Sequence, residues 1–247
     1  MKTNIVIIGG GPSGLLLSRL LSLEGIDNIV LEKQSQEHVI GRIRAGVLES
    51  GTIEMLKMAG VSGQFADCGI HALHMASFIG NDEVEVVSAD FASTIQGREL
   101  EDDAMVNFRM SSGIVGRLWT SSVAIGRQHG FDIQVFGEKG GLRWIAEQPN
   151  QLIYSKLGNR TEIIEKGEEN LYDDAVRLSR VAIAHPEGFP LAVANIYVDI
   201  AAVINGNSRE NLPTASDGLR SMAAVYAATK SAKNTGEWTD ARPPMFR

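Results

Sequence analysis

Six residues near the start of the chain, Gly9-Gly10-Gly11-Pro12-Ser13-Gly14, restrict what it can fold into more than any other stretch. Before them, Asn4 to Ile8 is a run of strand length in which Ile5 to Ile8 are all apolar. After them, Leu15, Leu16, Leu20 and Leu23 recur on one face of a helix predicted from about Ser13 to Glu24, and Gly25 ends it. Ile29, Val30 and Leu31 supply a second apolar strand. Two such strands joined by one helix make a parallel, right-handed βαβ unit.

Each glycine of this G-x-G-x-x-G turn has its own physical task. Gly9 permits the tight turn off the strand, Gly11 lets the backbone approach a diphosphate, and Gly14 lets the helix pack close to the sheet. The helix N-terminus then offers free N–H groups and a positive dipole end to phosphates, and Ser13 adds a hydroxyl donor. Glu32 closes the second strand where an acid accepts hydrogen bonds from the ribose hydroxyls of an adenosine. Its charge disfavours a ribose 2′-phosphate, so the pattern points to FAD, with NAD as the alternative, rather than NADP.

Composition narrows the remaining classes. A chain of 247 residues with 44% hydrophobic and 21% charged residues is long enough for one large domain or two small ones. The formal charge of -7, with scattered Lys and Arg, argues against nucleic acid as the partner. No apolar stretch reaches the length of a membrane span, because Ile5 to Leu23 is interrupted by its glycines, Pro12 and Arg19. Cys68 is the sole cysteine, so no intramolecular disulfide can form, which fits a cytoplasmic location.

Further along, Leu48 to Ala59 has helical spacing and Gly60 as a stop. The character changes near Gly63. A helix from about Ile70 to Ile79 leads into a strand from Val84 to Phe91, and Ala104 to Met110 and Ile114 to Ser122 alternate like a hairpin around Ser111-Ser112-Gly113. Phe131 to Phe136, Leu142 to Ala146, Leu152 to Tyr154 and Thr161 to Ile164 continue as short strands at meander spacing, which predicts an antiparallel sheet. Two helices close the chain, Leu191 to Ile204 and Ser216 to about Lys233, the latter capped by Thr214 or Ser216. The end, with Arg242-Pro243-Pro244, is expected to fray. Trp119, Trp144 and Trp238 are expected to serve core or sheet packing, and Cys68 to act as a small buried hydrophobe.

The N-terminal segment resembles the flavoprotein aromatic hydroxylases. The likeness is carried by Ile5 to Leu17 through the glycine turn, Gly25-Ile26-Asp27-Asn28, Leu31-Glu32-Lys33, and the more specific Gly41-Arg42-Ile43-Arg44-Ala45-Gly46-Val47-Leu48-Glu49. The resemblance implies that Ser13 and Glu32 contact FAD, that Arg44 lies by its diphosphate and Ala45 to Val47 near the flavin ring, and that Lys33 and Arg42 touch a reduced nicotinamide donor. The likeness fades before Asp67. The second nucleotide motif, the Gly-Asp motif and the phenol pocket of that family have no counterpart, so aromatic hydroxylation is not expected of this chain alone.

From Asp67 onward the chain resembles the C-terminal α/β domain of the Gfo/Idh/MocA family of NAD(P)-dependent dehydrogenases. The carriers are Asp67-Cys68-Gly69-Ile70-His71-Ala72-Leu73-His74, the strand Val84 to Phe91, Val135-Phe136-Gly137-Glu138-Lys139-Gly140-Gly141-Leu142, His185-Pro186-Glu187-Gly188-Phe189, Ala194-Asn195-Ile196-Tyr197 and Asp217-Gly218-Leu219-Arg220. Residues four apart share a helix face, so Asp67 and His71 are placed to look into one cleft, with Gly69 weakening the turn between them. An imidazole there can take the proton of a substrate hydroxyl as hydride leaves the same carbon. The resemblance implies His71 as acid/base and Asp67 as its substrate-orienting partner, with His185 bordering the cleft; the family's Lys has no counterpart. His38 and His129 lie in polar loops, which leaves no ligand set for a metal.

The expected architecture is therefore an α/β N-terminal Rossmann-like βαβ unit, residues 1–63, followed over residues 64–240 by an α+β domain with a mainly antiparallel sheet covered by helices. The expected function is that of an oxidoreductase that holds FAD or NAD and acts on a small sugar- or polyol-like hydroxyl, as a homo-oligomer through the C-terminal sheet, without nucleic-acid or membrane partners. Two alternatives stay open: a non-catalytic nucleotide-binding or assembly module, and a fusion of two oxidoreductase fragments without activity of its own.

Overall fold

The computed structural model describes residues 3, 5–35, 63–169, 171–209 and 211–243. Two compact units form, one from Met1–Ala124 with Pro213–Arg247 and the other from Ile125–Leu212.

The first unit begins with the expected βαβ element. Strands β1 (Ile5–Ile8) and β2 (Asn28–Leu31) pair in parallel, Ile5 opposite Asn28 and Ile8 opposite Leu31, and helix α1 (Pro12–Leu23) joins them. Ser18 on α1 donates to the Asn28 side chain at 2.6 Å, tying the helix to β2. Ile7 is buried, whereas Val6, Ile8 and Leu31 are exposed, Ile8 to 90%. A dinucleotide fold covers such positions with further strands and helices. The helix expected over Leu48 to Ala59 lies outside the described residues.

The core of this unit gathers around a second sheet. A single π-helical stretch, Phe65–Gly69, runs straight into helix α2 (Ile70–Gly80). Strands β3 (Val84–Ala92), β4 (Asp103–Met110) and β5 (Val115–Ser121) follow as an antiparallel meander. Alternation on β4 sorts the faces: Ala104, Val106, Phe108 and Met110 are buried, and Met105, Asn107 and Arg109 point the other way into solvent. On the buried face, Phe65 and Leu73 pack with Ala224, Val225 and Ala228 of the long final helix into one cluster.

The second unit holds strands β6 (Asp132–Gly137), β7 (Gly140–Ile145), β8 (Gln151–Lys156) and β9 (Thr161–Glu165), paired antiparallel in chain order. Helices α3 (Asp173–Leu178) and α4 (Phe189–Ile204) complete it. The meander strands thus divide between two sheets instead of forming one. Asp199 on α4 is buried and accepts from Arg177 at 2.7 and 3.3 Å and from Arg209 at 3.1 Å, which satisfies its charge. Among the described residues of this unit no apolar side chain is fully buried.

The chain then returns to the first unit through helix α5 (Ala215–Lys233). Its cap is Thr214, whose hydroxyl accepts from the Asp217 amide while the Asp217 carboxylate accepts from the Thr214 amide, a reciprocal capping box. Ser231, fully buried on α5, accepts from the Ala89 amide and donates to the Glu237 carbonyl, joining the helix to β3 and to the final segment. Of the end expected to fray, Arg242 and the buried Pro243 are held in the fold, and residues 244–247 lie outside the described residues. Strand β10 (Thr239–Asp240) pairs with Val86 and Val87 at the edge of the sheet, Ala241 is buried, and the Ala241 amide donates to the Glu85 carbonyl. The tryptophans line sheet surfaces rather than the core: Trp119 donates to Asp103, Trp238 stacks under Arg109, and Trp144 meets Phe131 edge-on.

Candidate functional site

At the glycine turn, Gly9 has φ +112°, a conformation that side-chain-bearing residues rarely adopt. A Cβ on Gly14 would lie 1.9 Å from the Gly9 carbonyl oxygen, so α1 can start this close to β1 only with glycine there. Gly11 differs. It caps α1 with φ −73° and ψ 175°, extended backbone that any residue adopts, and as glycine it brings no side chain of its own to the helix start.

Glu32 completes this corner. One carboxylate oxygen accepts from the Gly10 amide at 2.7 Å and the other from the Gln34 amide at 2.9 Å. These amides, Gln34 first and then Gly10, hold its carboxyl below the usual range, so it is anionic at neutral pH. Each oxygen keeps lone pairs for a further donor. The acid at the end of β2 therefore stands against the turn, with capacity left for a ribose diol. The corner fits the ADP part of a dinucleotide. Lys33 follows on the exposed surface. The Ser13 side chain, and Arg42, Arg44 and Val47, lie outside the described residues.

The second cluster stands on the π-helical stretch and α2. Phe65, Gly69 and Leu73 point into the core, which turns Asp67, Cys68 and His71 to solvent on the opposite side. Asp67 and His71 thus share the exposed side of one continuous helix, although no hydrogen bond joins them. A π-helical turn in a longer helix is often found at functional sites. Gly69 has a packing reason: a Cβ there would sit 2.4 Å from the Phe65 ring and 3.1 Å from the Thr120 methyl. Cys68 is exposed, against the expectation of a buried thiol, because it stands on the same outer side as Asp67. Partial burial first, and then the Asp67 charge, push its thiol up, which leaves it a poor nucleophile.

The other histidines lie apart from this pair. His74, half-buried, is within electrostatic reach of Asp217 at the start of α5. His185, in the second unit, follows Ala184, whose φ of +66° is strained for a residue with a Cβ. The turn is braced by Glu187, which accepts from Lys166 at 2.8 Å and from the Arg180 and Val181 amides at 2.6 and 2.7 Å. Among the described residues no group of three His, Cys, Asp or Glu side chains gathers as a metal site, and no helix is long and apolar enough to cross a membrane.

Sequence reasoning missed Glu101. From the loop before β4 its carboxylate accepts the Phe65 amide at 3.2 Å, and its carbonyl accepts the Gln64 amide at 3.1 Å, at the start of the helix that bears Asp67 and His71. The partners are 36 residues apart in sequence, too far for any local spacing to signal.

Residues 59–239 match the model of the oxidoreductase family, C-terminal alpha/beta domain, and the chain belongs to this Gfo/Idh/MocA family. Residues 2–115 match a second model, the FAD binding domain, so the flavoprotein likeness extends past Asp67, where the sequence alone ended it, and overlaps the first match. The chain is similar to the oxidoreductase YfiI of Bacillus subtilis (strain 168), 28% identical over 193 residues, covering 74% of this chain and 49% of that protein. It is also similar to p-hydroxybenzoate hydroxylase of Acinetobacter baylyi, 35% identical over 100 residues, covering 40% of this chain and 24% of that enzyme. The chain thus spans half or less of these relatives. Among solved structures, an inositol dehydrogenase homologue from Azotobacter vinelandii complexed with NAD+ superposes with a TM-score of 0.70 at 28% identity, over 75% of this chain and 50% of that one. An oxidoreductase from Pseudomonas syringae gives 0.69 at 28% identity, over 74% and 53%.

Proposed function

We propose that this chain holds the ADP part of FAD, or alternatively of NAD, on its glycine turn and Glu32, and that Asp67 and His71 serve oxidation of a sugar- or polyol-like hydroxyl. The observation that carries the reading is the corner itself: Gly9 turns at φ +112°, Gly14 lets α1 start against the Gly9 carbonyl, and the Glu32 carboxylate at the end of β2 accepts from the Gly10 amide within the turn. Glu32 supports an unphosphorylated adenosine ribose, since a 2′-phosphate would meet its carboxylate. A bound dinucleotide supplies the hydride acceptor. His71 then takes the hydroxyl proton, and Asp67, one turn before it, orients the substrate by accepting from a neighbouring hydroxyl. Ser13, Lys33, Arg42, Arg44 and Val47 are assigned to the cofactor by their likeness to the flavoprotein hydroxylases.

The open sheets favour a second feature, self-association through the C-terminal sheet, and a second reading in which the chain is an assembly module without turnover. A fusion of two oxidoreductase fragments, one a remnant of a 4-hydroxybenzoate 3-monooxygenase, is the third. The purified protein is expected to bind flavin, visible as yellow colour, or NAD, and to transfer hydride from a polyol, with His71→Ala lowering the rate at least a hundredfold, the range of general acid–base catalysis. Saturable cofactor binding without turnover on any sugar or polyol favours the assembly module, and a protein that binds neither cofactor favours the fusion.

A further inference from the structure

The helix that bears Asp67 and His71 starts in an unusual way. Its first free amides are not capped from within the helix. The Gln64 amide goes to the carbonyl of Glu101 and the Phe65 amide to the carboxylate of the same residue. Two of the orphan donors of a helix start are thus met by one residue from another element. The position of Glu101 is itself fixed. Its neighbour Asp102 is almost fully buried and accepts from the Thr94 amide and hydroxyl at 2.8 Å each, from the Ile95 amide at 3.1 Å and from Arg98 at 3.3 Å. The Asp102 main chain bonds the sheet on both sides, to the Ala92 carbonyl and from the Ser122 amide. Glu101 therefore projects from a rigid base. Gly63 leaves the space its carboxylate fills, because a Cβ at Gly63 would come within 2.0 Å of both carboxylate oxygens. On the other side Gln64 donates to Thr120 of β5 at 2.9 Å.

We propose that Glu101 is the positioning residue of the Asp67/His71 site: braced by Asp102, it holds the first turn of their helix and so sets how the two side chains meet a substrate hydroxyl. The part concerning substrate rests on the proposed function; the part concerning the helix does not.

Cys68 makes the test possible without cofactor or substrate. It is the sole cysteine, is exposed, and its sulfur lies 3.8 Å from the Asp67 carboxylate, so its reaction rate with an aromatic disulfide reports the geometry beside Asp67. Glu101→Ala is expected to raise that rate at pH 8 roughly fivefold, the factor for losing one hydrogen bond, and to lower the pH midpoint of the reaction as Asp67 and Cys68 come apart. Glu101→Gln, whose amide oxygen still accepts from Phe65, is expected to stay within about twofold of the unaltered protein. Unaltered rate and midpoint in Glu101→Ala, or an equal change in both variants, overturns the proposal. Should Glu101→Ala fail to fold, amide hydrogen exchange of the unaltered protein decides: Gln64 and Phe65 must exchange as slowly as Leu73, and rapid exchange at either contradicts the clamp. Where polyol oxidation is measurable, Glu101→Ala lowers kcat more than it raises KM, and Glu101→Gln restores it; an effect on KM alone also overturns the positioning role. If the unaltered protein has no turnover, the catalytic reading fails, while the thiol and exchange results still judge Glu101.

Discussion

Two adjacent acids before β4, Glu101 and Asp102, have opposite electrostatic fates. The Thr94 amide first, with the Thr94 hydroxyl, the Ile95 amide and Arg98 adding to it, holds the Asp102 carboxyl below its usual range against the cost of burial. A carboxyl depressed in the fold adds stability that is present above its unfolded value of about 4 and is lost as pH falls through the folded value. Asp102→Asn is therefore expected to melt well below the unaltered protein at pH 6, and the gap should narrow as pH is lowered toward 3 in a series of thermal melts. A constant gap would mean that charge at Asp102 is irrelevant. Burial raises Glu101 instead. Its contribution is full at low pH and declines as pH rises through the folded value, so holding the helix start as an anion costs the fold something at neutral pH. At this scale the sequence was informative only where a motif is local. Gly9, Gly11, Gly14 and Glu32 were legible because strand, turn, helix and acid follow one another within about thirty residues. Glu101 and Ser231 act across long sequence separations and left no pattern to read.

Elements with a long period were also legible. The strands of both sheets, α2, α4 and α5 stand within a few residues of where alternation and helical spacing place them. The exceptions are short. Strand β10 has two residues and α3 six, below the length at which periodicity can be recognised, and β10 forms because Ala241 and its neighbours find a place at the edge of β3. The helix of Asp67 shows a different kind of miss. Glycine in a helix normally reads as a weak point, yet a Cβ at Gly69 would run into the Phe65 ring. Gly69→Ala, favourable by helix propensity, is therefore expected to destabilise the protein by about 1–3 kcal/mol through overpacking, measured as a lower urea midpoint with an unchanged slope. A gain in stability would show that Phe65 yields easily, and that the π-helical stretch is not set by this contact.

At the scale of the molecule, exposed apolar surface is the dominant fact. In the first unit Met105, Val115 and Trp119 are exposed on the sheet, and Val6, Ile8 and Leu31 on the βαβ element. In the second, α4 is apolar nearly all round, with Ile196, Tyr197 and Val198 open to solvent. A helix of that kind is ordinarily buried. Self-association is the expected outcome: light scattering at micromolar concentration should give at least twice the chain mass of 26.7 kDa, and Trp119→Glu should reduce it. A monomer in both cases would remove the C-terminal sheet as the contact. The sequence indicated which families the segments resemble, but not that the strands part into two sheets, because the period of a strand says nothing about its neighbours.

The proposed function requires that the turn at Gly9 to Gly14 receive a diphosphate. Titration of the folded protein with FAD, NAD and ADP, followed by calorimetry, tests this directly when repeated with Gly11→Val. Because φ at Gly11 is −73°, the valine variant is expected to keep its circular dichroism spectrum, and its stability to fall only by the cost of a poorer helix cap, about 1 kcal/mol. The proposed function predicts saturable binding of at least one of the three by the unaltered chain and a loss of at least tenfold in affinity, about 1.4 kcal/mol, in Gly11→Val. Absence of saturable binding, or equal affinity of the two proteins, contradicts it.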